Sequence, residues 1–135
     1  ELQQIKSATN KGFIVNCKSS LELYDVAFNL IYKVDSIDTN FPAPGYRGIT
    51  GIYTYKNSST LKYGFIDAIN MNKTNAIYDD INPFSRAGLL QLKLNNENYI
   101  FDQKTNQKTL IDFEIIQEVN ANILIVKKDM WVKGF

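Results

Sequence analysis

Apolar and polar positions alternate in short bursts along most of the chain, and each burst ends in a cluster of turn residues. Gly12-Phe13-Ile14-Val15-Asn16-Cys17 is strand-like; Lys18-Ser19-Ser20 then leads into Leu21-Glu22-Leu23-Tyr24-Asp25. The same phrase returns three times. Ile49 to Tyr55 meets the polar cluster Lys56 to Thr60 and comes back as Leu61 to Asp67. Leu89 to Leu94 meets Asn95 to Asn98 and comes back as Tyr99 to Asp102, and Ile123 to Val126 meets Lys127-Lys128-Asp129 and comes back as Met130-Trp131-Val132. Strand, polar turn, strand predicts a hairpin, so the chain predicts four of them.

A second element recurs between the hairpins. Counting from Asp67, Tyr78 lies eleven positions on and Ile81 fourteen; counting from Asp102, Phe113 and Ile116 fall at the same intervals. Val34-Asp35-Ser36-Ile37 occupies the corresponding place after Asp25, two residues early. Self-similarity at this spacing predicts units that bury their apolar faces against one another. The expectation is an all-β single domain of tandem antiparallel β-hairpin repeats, with little helix. About three units are expected, roughly 12–60, 61–97 and 98–135, stacked or wrapped into an open barrel-like or solenoid array. Residues 1–11 read as a polar lead-in, a short helical turn or frayed end. Asp25, Asp67 and Asp102 each close a strand, where a short carboxylate accepts backbone N–H groups of the following turn. Gly64 beside an aromatic predicts a bulge or a close backbone approach. Asn82-Pro83 predicts an end to pairing that delivers Phe84 to the core as a plug.

Tyr63-Gly64-Phe65-Ile66-Asp67, Tyr78-Asp79-Asp80-Ile81, Asn82-Pro83-Phe84-Ser85 and Gly88-Leu89 together resemble the WG (KWG) β-repeat family of bacterial proteins. That family's typical unit opens with a Lys-Trp/Tyr-Gly strand ending in Asp and continues through Tyr-Asp to Pro-Phe-Ser. The flanking copies depart from it: Leu21 to Asp25 and Asn98 to Asp102 lack the glycine, and Phe113-Glu114 stands for Tyr-Asp. Met130-Trp131-Val132-Lys133-Gly134-Phe135 resembles the opening of a further unit. The resemblance implies an all-β repeat fold and carries no demonstrated chemistry.

Composition narrows the function. At 135 residues the chain suits one domain, and its eight Tyr and eight Phe favour strands. The net charge is +1 with both signs dispersed, which leaves no footprint for nucleic acid. No apolar run approaches the roughly 20 residues of a transmembrane helix. A single Cys17 excludes an internal disulfide framework and, on an alternating strand with Phe13 and Val15, reads as a small buried hydrophobe. The first residue is Glu1 rather than Met, as in a processed form or a fragment; removal of a signal peptide ahead of it would place the chain in the periplasm or outside the cell, whereas an immunity-type role would place it in the cytoplasm.

The vocabulary of catalysis is thin. With no histidine, the commonest general base, Ser-His and Cys-His pairs and most zinc sites are missing. Adjacent Asp79 and Asp80 point to opposite faces of a strand and cannot share a proton. Asp25, Asp35 and Asp38 lack the spaced oxygen ligands of a calcium loop, and Gly45, Gly48 and Gly51 lack the Lys-Ser/Thr and the helix of a phosphate cradle. The expectation is a non-enzymatic chain without cofactor or metal.

What remains is surface. The insertion from Thr39 to Gly51 carries Phe41, Tyr46 and Arg47 among prolines, and Arg86 occupies the corresponding loop of the next unit. Aromatics and arginine are the residues that supply interface hot spots. The leading expectation is therefore a binding module for a protein partner, an immunity-type (toxin-neutralising) or cell-envelope protein, acting through Phe41, Tyr46, Arg47 and Arg86. The competing reading is that Phe41 and Tyr46 only cover one end of the stack. A second function, glycan or cell-wall binding, needs an exposed strip of Tyr53, Tyr55 and Trp131, joined by Tyr63; the same face could instead pack on a neighbouring unit.

Overall fold

A computed structural model of the chain describes residues 4–17, 19–37, 51–84 and 86–128. Backbone pairing divides them into four antiparallel sheets that follow chain order. The first contains β1 (Gln4–Ala8), β2 (Gly12–Cys17), β3 (Ser20–Asp25) and β4 (Leu30–Asp35). The second contains β5 (Ile52–Lys56), β6 (Tyr63–Asp67) and the short β7 (Asn72–Lys73). The third contains β8 (Asp80–Phe84), β9 (Leu89–Leu94), β10 (Glu97–Asp102) and β11 (Gln107–Ile111), and the fourth is the hairpin of β12 (Phe113–Asn120) and β13 (Ile123–Lys128). The fold is all-β, without helix among the described residues and without a closed barrel.

The sheets bury apolar faces against each other because successive side chains on a strand point opposite ways. In the first sheet Ile14, Leu21 and Leu23 share one face and meet Tyr55, Ile66 and Ala68 of the second. From its other face the second sheet offers Ile52 and Phe65, which meet Leu90, Leu92 and Phe101 of the third. The second sheet is thus covered on both sides, and its β6 reads as a continuous apolar run instead of an alternation. Each such side chain contributes roughly 1.5–3 kcal/mol on burial. A lysine caps the outer edge of each seam over an aromatic ring: Lys73 over Tyr32, and Lys108 over Tyr78 and Tyr99.

Three of the predicted hairpins are present as β2–β3, β5–β6 and β9–β10. Asn95 and Asn96 both have positive φ, 53° and 67°, the two-residue primed turn that suits the twist of flanking strands. Part of the fourth predicted hairpin, Met130 to Val132, lies outside the described residues; β13 pairs with β12, so the recurring segment from Phe113 to Ile116 is itself strand. The lead-in is also strand, since β1 pairs with β2 across a register shift between Ile5 and Ser7. The predicted unit boundaries at 61 and 98 fall inside a hairpin, because the strand that opens the sequence motif is never the first of its sheet: in chain order β6 is the second strand of its sheet, and β3 and β10 are the third of theirs.

Asn82-Pro83 does not end pairing. Asn82, Pro83 and Phe84 pair with Gln91, Leu90 and Leu89, with β8 at the edge of its sheet. An edge strand tolerates a proline because the missing N–H faces outward. Phe84 ends half-buried at the close of β8 rather than in either buried cluster.

Gly64 is the close approach that the sequence predicts. It lies directly across from Tyr55, and a Cβ placed on it would come within 2.6 Å of that ring. The ring is held from its far end, since the Tyr55 hydroxyl donates to the Thr74 carbonyl at 2.7 Å. We expect Gly64→Val to lower stability by about 1–3 kcal/mol in urea denaturation, the usual cost of overpacking. In a Tyr55→Ala background the same substitution should cost close to nothing; an equal cost in both backgrounds would show that the ring contact is not its cause.

Candidate functional site

Along one margin of the structure lie the three turns that follow Asp25, Asp67 and Asp102. Each aspartate ends a strand, and the next strand begins five residues later, at Leu30, Asn72 and Gln107. The carboxylates hold the turns as the sequence predicts: Asp25 accepts the N–H groups of Ala27 and Asn29, Asp67 those of Ile69 and Asn70, and Asp102 that of Lys104. The hydrogen bonds from Asn29, backbone first, hold the Asp25 carboxyl below its ordinary value.

The turns differ in what covers them. The middle turn packs on the first sheet: the Thr9 hydroxyl donates to the Ala68 carbonyl at 2.7 Å, Met71 lies against Gly12, and Ile69 lies against Gly51. Its other side receives the third turn, where Asn70 donates to the Gln103 carbonyl at 3.0 Å. Ala68 is fully buried, whereas Val26, the residue at the same place in the first turn, is 61% exposed.

An aromatic cluster forms beside that first turn. Phe13 and Tyr24 are cross-strand partners with rings stacked at 5.4 Å and 12°. Phe28 meets Phe13 edge-on at 5.6 Å and 68°, yet remains 75% exposed. Leu30 and Val26 extend the exposed apolar surface. Tyr24 donates its hydroxyl to Glu22 at 2.6 Å, and that bond to a carboxylate raises the phenol above its ordinary range.

Phe28 also has a positive φ of 68°. A left-handed conformation costs an L-residue roughly 1–2 kcal/mol, and one aromatic edge contact returns about 0.5–1.5 kcal/mol. The two nearly cancel, so folding stability does not account for a phenylalanine here. Counted from the aspartate, Asn70 and Thr105 stand at the same place and are polar; the left-handed residues of those turns are Met71 and Asn106, one place later.

The predicted site residues fare differently. Phe41, Tyr46, Arg47 and Trp131 lie outside the described residues. Arg86 is exposed, but its guanidinium donates to the Val119 carbonyl of β12 at 3.1 Å and ties two elements of the chain together. Tyr55 does not belong to an exposed platform. It is 3% exposed, because the face it shares with Gly64 turns toward the first sheet, and Tyr53 is half-buried beside it. Tyr63 is half-buried under Lys56. Asp79 pairs with Lys62 and accepts the Asn95 N–H at 3.0 Å, which staples the second sheet to the β9–β10 turn. Asp35 pairs with Lys33, and no group of three His, Cys, Asp or Glu among the described residues is placed to hold a metal ion. Cys17 is half-buried and forms no disulfide.

Sequence reasoning passed over Phe28. Its signal was the run Val26-Ala27-Phe28 inside a turn whose counterpart is Gln103-Lys104-Thr105.

Fold and site together define an all-β, multi-sheet protein with an exposed aromatic cluster at the first sheet. Comparisons with protein-family models, curated proteins and solved structures return no match. No helix among the described residues is long and apolar enough to cross a membrane.

The buried phenol of Tyr55 sets a pH limit. Burial pushes its pKa up to about 12 from an ordinary 10.0. A group raised on folding contributes fully below its unfolded value, and the contribution is lost as pH rises through the folded one. Stability should therefore fall between about pH 10 and 12, with Tyr24, Tyr53 and Tyr99, also raised, acting in the same direction. Alkaline titration followed by circular dichroism should show a shallower loss in Tyr55→Phe; an unchanged slope would remove Tyr55 as the cause.

Proposed function

We propose that this chain is a non-catalytic binding module of the WG β-repeat kind that holds a protein partner on the cluster of Phe13, Tyr24 and Phe28. The observation that carries the reading is Phe28: a large aromatic, mostly exposed, in a backbone conformation that folding gains nothing by paying for. Exposed aromatics on a rigid support are the anchors from which interfaces draw most of their energy. The cluster sits on a packed sheet, with its turn bonded to Asp25, so little ordering remains to be lost on binding. Neutralisation of a toxin and a role in the cell envelope both fall within this reading. Glycan binding through Tyr53 and Tyr55 has less support, because Tyr55 is in the core.

Phe28→Asn tests the proposal, since asparagine suits a positive φ and the melting temperature should hold. Proteins retained by the immobilised wild type should be retained roughly thirtyfold more weakly by Phe28→Asn, the effect of losing a hot spot of about 2 kcal/mol. Leu61→Asn serves as the control, as Leu61 is also exposed with a positive φ of 61° but lies in the β5–β6 turn. Equal retention by wild type and Phe28→Asn, or equal loss in both variants, would sink the assignment to this cluster.

A further inference from the structure

The β12–β13 hairpin is attached to the molecule in a different way from every other element. It forms a sheet of its own and shares no ladder with β11 or β9 among the described residues. Of its apolar side chains only Ile115 is buried, while Ile116, Ile123, Ile125 and Val126 are all exposed. Among the described residues the bonds that join it to the third sheet run from side chain to backbone, and at the joint Lys128 pairs with Asp112 at 3.4 Å. The Gln91 side chain, 3% exposed on β9, grips Ile115 at both ends of its residue. Its Nε2 donates to the Ile115 carbonyl at 3.3 Å, and its Oε1 accepts the Ile115 N–H at 2.7 Å. Glu118 accepts the Ala87 N–H at 2.8 Å, and Arg86 reaches the Val119 carbonyl.

We infer that the β12–β13 hairpin is a flap, latched by Gln91 and hinged at Asp112, that opens as a unit while the first three sheets stay folded. The joint is short and in the right place, for Asp112 is the single residue between the end of β11 and the start of β12. Opening breaks the Gln91 grip, two polar contacts from the Arg86-Ala87 turn and the burial of Ile115, but no ladder between sheets among the described residues. The hairpin keeps its own ladder as it swings. The second sheet, by contrast, is clamped on both faces and cannot open alone. Elements with few buried apolar contacts are the ones that open below the global unfolding energy. In the closed state the flap covers Gln91 on the third sheet; in the open state Gln91 and Ile115 are both presented. The inference stands independently of the partner-binding reading, which concerns the opposite end of the chain.

Native-state hydrogen exchange of the full chain tests it. Amides of residues 114–127 should exchange at least about a hundredfold faster than those of β6 and β9, with low urea leaving the hairpin's rate nearly unchanged, as for a sub-global opening. Gln91→Leu should speed exchange in the hairpin by roughly another tenfold while β2, β3 and β6 keep their protection, since two bonds to one buried residue are lost. Arg86→Ala, an exposed and milder change, should act in the same direction by about two- to fivefold. If residues 114–127 share the protection and urea dependence of β6 and β9, or if either variant lowers protection in all sheets alike, the hairpin is part of one cooperative unit and the flap is excluded.

Discussion

The Asp67 carboxylate is wholly buried, and a buried charge is costly unless its oxygens are hydrogen-bonded. It accepts the N–H groups of Ile69 and Asn70 at 2.9 and 3.2 Å, the Asn70 side chain at 2.6 Å and the Gln103 side chain at 3.3 Å. The first three bonds shape its own turn, and the fourth comes from the third sheet. Because that turn is shaped this way, Ala68 and Met71 meet the first sheet while Asn70 meets Gln103. One carboxylate therefore sets how the middle sheet sits against both neighbours. The apolar packing on its two faces, with Tyr55 over Gly64 on one side and Phe65 against Phe101 on the other, depends on that placement.

The same construction explains where the surface becomes available. The Asp67 turn lies between the first sheet and the Asp102 turn, so Ala68 is buried and Met71 half-buried. At the first sheet the equivalent turn keeps the Asx bonds of Asp25 but has its apolar residues in solvent. The requirement that made Asp67 a structural hub is relaxed there, and the turn is free to carry Phe28. At the other end the β12–β13 hairpin is joined by polar contacts from Gln91, Ala87 and Arg86 rather than by a shared apolar face. Rigidity is concentrated in the middle sheet, and exposed or separable surface lies at the two ends.

Much of this was legible beforehand where the cause is local. A carboxylate that caps the next turn acts within four residues, so Asp25, Asp67 and Asp102 could be assigned from spacing alone. Period-two alternation likewise marked β2–β3, β5–β6 and β9–β10. Gly64 was readable as a close approach, although nothing local said that Tyr55 was the group approaching. Errors arose where pairing is decided by a distant partner. Pro83 is compatible with β8 only because that strand is at an edge, and Phe113 to Asn120 is strand only because β13 lies beside it. Tyr55 looked available because alternation specifies two faces without saying which one is covered.

Arg86 and Phe28 divide along the same line. Composition singled out Arg86 as a rare residue in a loop, and its distant hydrogen bond to Val119 turned it into a tie within the fold. Phe28 was legible only as an apolar residue in a turn, and the stacking of sheets decided that it stays mostly exposed. What the sequence by itself determined is the all-β class, the hairpins and the aspartate-held turns, because those follow from contacts within a few residues. Which faces are buried, which turn is left open and what holds the last hairpin were decided by the tertiary structure, since burial depends on side chains brought together from sheets far apart in the chain.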